Sequence, residues 1–125
     1  MTNQPGHLRK GGHLTFAMSG DVPATMVCEI LSFEPPNLLE HTHAEPGSRM
    51  RWELETSATG TVLRLTHHVV NADGAIDNCY VVGLHTSLSR LAPCLAGAPI
   101  DWDWAEFVTV QTDYARLGLA PIPTT

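Results

Sequence analysis

Positive charge, aromatic residues and cysteine are all scarce in this sequence. Lys and Arg number 7 against 13 Asp and Glu, a formal net charge of −6. So few and so scattered cations argue against a phosphate backbone as partner, and nucleic acid is not expected. The Cys count is 3, an odd number without CxxC spacing, which suits a reducing cytosol better than a disulfide framework. No apolar run approaches the roughly 20 residues of a membrane helix, so no membrane partner is expected. Residues 1–12 carry basic side chains without the apolar stretch of a signal peptide. There is neither an internal repeat nor a low-complexity tract. The 125 residues are enough for one domain with a real core, and the expected location is cytoplasmic.

What the sequence does have is period-2 alternation. Residues 1–10 lack periodicity and read as a flexible N-terminus, followed by Gly11-Gly12. In residues 13–19, Leu14, Phe16 and Met18 alternate with polar or small neighbours, a half-buried strand. Residues 20–23 (GDVP) read as a turn. Residues 26–33 (MVCEILSF) are strand-like and stop at Glu34-Pro35-Pro36-Asn37, where proline cannot donate to a ladder. Residues 38–43 (LLEHTH) form a short strand with Leu39, His41 and His43 on one face. The clearest alternation puts Met50, Trp52 and Leu54 inward, with Arg49, Arg51, Glu53 and Glu55 outward. After a loop at residues 57–60, residues 61–70 supply the partner strand, with Leu63, Leu65, His67 and Val69 on one face.

Beyond Gly74 the period lengthens. Ile76, Tyr80, Leu84, Leu88, Leu91 and Leu95 recur at spacings of three and four, which predicts one long helix ended or kinked by Pro93. Residues 101–116 predict a further helix, capped by Asp101 or Asp103 and closed by Gly118, before a frayed tail. The expected fold class is α+β: an antiparallel meander of about five strands packed by a long C-terminal helix.

Four stretches in this order resemble the START-like (SRPBCC) superfamily, in the branch named after the activator of heat-shock protein ATPase homologues. They are Gly11-Gly12-His13-Leu14-Thr15-Phe16, then residues 30–42 with the Pro35-Pro36 turn. Ser48-Arg49-Met50-Arg51-Trp52-Glu53-Leu54 with residues 60–67 follows, then residues 83–91 (GLHTSLSRL). The resemblance covers residues 11–97, with residues 98–118 as an additional helix and 119–125 as a tail. Relatives open with a strand and two short helices that this chain looks to lack, and they commonly carry Trp where His43 and Leu84 stand here. An unpaired sheet edge or exposed apolar patch would follow, hence an expected homo-oligomer.

The resemblance implies binding of a small hydrophobic ligand or a protein partner, with a chaperone-ATPase and stress-response association. It implies no metal and no cofactor. Phe16, His43, Trp52, Leu54, Leu65, His67, Tyr80 and Leu84 are the expected ligand-binding residues, lining the space between sheet and helix as an apolar pocket with a few polar groups. A collapsed, filled core is the alternative. Three inward histidines, His41, His43 and His67, invite a metal reading, but no Cys or carboxylate stands at matching spacing. No nucleophile triad can be read from spacing, and no catalytic residue is assigned. Cys28 and Cys79 read as small hydrophobes, and Cys94 as exposed. Trp102-Asp103-Trp104 reads either as a docking surface or as internal packing. Two alternatives from other classes remain: a cyclase- or dehydratase-type enzyme using His67 or His43 as general acid/base, and a shortened interaction protein without ligand.

Overall fold

Alternation between residues 13 and 68 builds one sheet. The computed structural model describes residues 8–18, 24–99 and 101–124; the expected turn at residues 20–23 and most of the N-terminal segment lie outside them. The strands are β1 (His13–Met18), β2 (Ala24–Glu34), β3 (Leu38–Thr42), β4 (Arg49–Ser57) and β5 (Gly60–His68). All neighbours are antiparallel and the order is β1-β2-β3-β4-β5, the meander expected from the sequence.

Register fixes the two faces. Leu14 opposes Cys28, Ile30 opposes His41, and Leu39 opposes Trp52, which in turn opposes Leu65. These residues share the apolar face, whose centre is a cluster of Leu14, Cys28 and Ile30 with Phe16, Met26, Phe33 and Leu39 packed against it. The other face carries ion pairs: Arg51 bridges Glu40 and Glu53, each at 3.2 Å, and Arg64 pairs with Glu55. Water screens such exposed pairs, so they add little to stability. Their role is to keep this face in water and so fix which face is apolar.

Two details depart from a plain alternation. β2 shifts register between Ile30 and Ser32, a bulge that brings Phe33 back onto the face of Ile30. The β4–β5 loop is tighter than expected, because Ser57 already pairs with Gly60. Gly47 in the β3–β4 turn has φ +87°, and a Cβ there would lie 3.1 Å from Val70 Cγ1. Beside it, the buried Ser48 hydroxyl donates to Glu45 Oε1 at 3.0 Å and accepts the Val70 amide at 3.2 Å. Gly47→Ala is expected to cost about 1–2 kcal/mol, read as a lowered urea midpoint with unchanged slope; an unshifted midpoint would contradict it.

The chain divides into two units, Met1–Val70 with the sheet and Asn71–Thr125 with the helices. The second holds α1 (Ala72–Asp77), α2 (Tyr80–Leu88), α3 (Leu91–Leu95) and α4 (Trp104–Arg116). The long helix expected over residues 76–95 is therefore three pieces. Asn78 caps α1 and Cys79 adopts the left-handed conformation, φ 57°, which stops helix propagation. Cys79 is thus a helix junction, and it still packs as a small hydrophobe, against the cluster of Val82, Val110 and Ala120. A second break follows at Ser89 and Arg90, just before Pro93. Of the expected apolar stripe, Leu88, Leu91 and Leu95 are exposed. The core of this unit is instead Val82, Val110 and Ala120, with Val81, Phe107 and Tyr114 around them. Asp103 is the N-cap of α4, accepting the amides of Ala105 at 2.9 Å and Glu106 at 3.2 Å. Gly118, φ +74°, follows the helix end as the sequence predicts.

Candidate functional site

Histidines stand on the apolar sheet face, and backbone pairing dictates their neighbours. β3 places His41 opposite Met50, β5 places His67 opposite Met50 from the other side, and His43 follows β3. The His43 and His67 rings lie 4.9 Å apart, edge to face. His41 is 1% exposed, yet both ring nitrogens are used. Its Nδ1 lies 2.7 Å from the Thr42 carbonyl, and its Nε2 accepts the Trp52 indole N–H at 2.9 Å. Because a carbonyl cannot donate and an indole cannot accept, His41 is the neutral Nδ1–H tautomer. Phe16 closes the other side, 5.7 Å from the imidazole.

Burial holds all three histidines below their ordinary value of 6.5; for His43 and His67 a neighbouring imidazole adds to it, while the Glu45 carboxylate opposes it at His67. The face is therefore electrically neutral at neutral pH. Burial also pushes the Cys28 thiol up, so it behaves as a packing group and not as a nucleophile. Among the described residues no group of three or more His, Cys, Asp or Glu is placed to hold a metal.

A groove of about 310 Å³ opens on the same face at the Pro35–Pro36 end. Trp52 and Leu54 of β4 form its floor with Leu39 and Leu63, and Phe33 and the two prolines form one wall. The structure thus joins Trp52 and Leu54 of the expected site residues in one concavity. It places Leu65 across the strand from Trp52, and His43 against His67, further along the face. Phe16 belongs to the β1–β2 cluster. Tyr80 and Leu84 lie on α2 in the second unit, both half-buried. Sequence reasoning missed the other lining residues: Phe33, Leu39, Leu63 and the turn from Pro35 to Leu38. Leu39 and Leu63 follow from the register of Trp52 and Leu54 once the hairpins are closed, whereas Phe33 needs the bulge.

Among the described residues no helix is long and apolar enough to cross a membrane. No curated protein and no solved structure matches the chain. One family profile does, over residues 1–96: Activator of Hsp90 ATPase homolog 1-like protein. That match spans most of the 125 residues, and with the meander sheet and C-terminal helices it shows that the chain belongs to this family of the START-like superfamily.

Proposed function

We propose that the protein is a binding module that holds a small apolar ligand against the apolar face of its sheet, seated in the groove beside Pro35–Pro36. The groove itself carries this reading: its volume of about 310 Å³ is at the lower end of small-molecule sites, and its walls are almost wholly hydrocarbon and aromatic. Trp52 and Leu54 are the contacts we assign to the ligand body, with Leu65 extending the surface toward His67 and His43. These imidazoles, neutral at pH 7, supply polar ends without the desolvation cost of a charge. The family setting favours a chaperone-ATPase-related role. The free thiols of Cys28, Cys79 and Cys94 favour a reducing, cytoplasmic compartment.

Native mass spectrometry of the purified protein, followed by titration with a medium-chain fatty alcohol, tests the proposal. Saturable binding with quenching or a blue shift of Trp52 emission is expected. Leu54 is 40% exposed, so Leu54→Arg should leave folding intact. It should weaken binding at least about tenfold by placing a charge in the groove. Retention of no apolar probe, or unchanged affinity in Leu54→Arg, would remove the groove from consideration. The same spectra report whether the chain self-associates.

A further inference from the structure

The second unit carries a feature that apolar ligand binding does not use. Trp102, Trp104 and Phe107, at the start of α4, form a triangle of rings with centroids 5.6, 6.1 and 5.3 Å apart. Their planes are inclined by 50–78°, so the rings meet as the walls of a corner and are not stacked. Trp104 is 67% and Trp102 41% exposed, which leaves ring surface open to water.

Charge completes the picture. The sequence runs Asp101-Trp102-Asp103-Trp104, with Glu106 one turn on. Arg90 pairs with Glu106 and lies 3.9 Å from Asp103. The aromatic corner is thus flanked by a net excess of carboxylate, on a chain of net charge −6. Aromatic faces are negative and attract cations, and the attraction is largest for poorly hydrated ones. A bare ammonium keeps its water, whereas a methylated one offers apolar surface to the rings and charge to the acids. An acyl chain would gain nothing from the aspartates.

From the Trp102–Trp104–Phe107 corner and its flanking carboxylates we infer a site for a small soluble quaternary ammonium compound, separate from the groove on the sheet. The ring centroids lie no more than 6.1 Å from one another, so a single trimethylammonium head group can touch more than one ring at once.

The test follows the indole N–H signals of the three Trp residues by two-dimensional NMR while choline is added. The signals of Trp102 and Trp104 should move saturably at millimolar choline, while that of Trp52, bonded to His41, stays still. The uncharged isostere 3,3-dimethylbutan-1-ol should bind at least about tenfold more weakly. Trp104→Ala, at an exposed position, should abolish the shifts of Trp102. Asp101→Asn should weaken binding about two- to threefold with all rings in place. Equal binding of the isostere would make the corner a plain apolar patch and overturn the inference, as would unsaturable shifts or normal binding by Trp104→Ala. Preference for phosphatidylcholine vesicles over free choline in co-sedimentation would overturn the assignment to a soluble compound.

Discussion

Ile30→Ala is expected to lower the unfolding free energy by about 2–4 kcal/mol, the range for large-to-small changes in a packed core. Ile30 is 1% exposed, pairs with His41 and packs with Leu14 and Cys28, which is 0% exposed. It also immediately precedes the β2 bulge, where the register is already committed, so the strand has little freedom to slide and fill the void. The control is Val27→Ala, three residues away on the opposite face and 62% exposed, which should change stability by less than about 0.5 kcal/mol. Urea unfolding of both variants checks the pair. Equal midpoints would mean that the Leu14–Cys28–Ile30 cluster is not the centre of the sheet's stability.

Acid should destabilise the fold through the same face. His41, His43 and His67 all have folded-state values below 6.5, so the fold prefers the neutral imidazoles. Their contribution is fully present above pH 6.5 and is lost as the pH falls below it and through the folded values. Each group contributes a slope of at most about 1.4 kcal/mol per pH unit in that window. Trp52→Phe separates His41 from the rest. At pH 7.5 it should cost about 1–3 kcal/mol, because His41 Nε2 is left buried without its donor. With the indole N–H gone, that nitrogen can take a proton, so the variant should lose less stability between pH 7.5 and 5 than the parent. Chemical unfolding at both pH values is the measurement. A parent protein equally stable at pH 5 and 7.5 would contradict the neutral-face account.

Most of the sheet was legible because its signal is local. Trp52 and Leu54 announce their face by alternating with Arg51, Glu53 and Glu55, and the pairing of Trp52 with Leu65 then follows from a short hairpin. The helical half was less legible. Ile76 to Leu95 keeps a helical period in sequence, but the left-handed Cys79 breaks it, and no residue type there signals a positive φ. Leu88, Leu91 and Leu95 obey the apolar stripe and are nevertheless exposed, while Val82 and Val110, off that stripe or beyond it, form the core. The Trp52–His41 hydrogen bond was hidden for another reason. Opposing faces can be read from parity, but a contact between β3 and β4 side chains needs the register that the Glu45–Ser48 turn sets.

The meander order also bears on how the sheet assembles. Each strand pairs only with its neighbours in the chain, so the sheet has no crossover to thread. The nine pairs of β4 and β5 span a single turn, and closing so small a loop takes little chain entropy. Sheets normally fold slowly because distant segments must meet before any contact rewards them. Here each hairpin can zip from its own turn and offer an edge to the next, so the barrier is set by local steps rather than by the length of the chain.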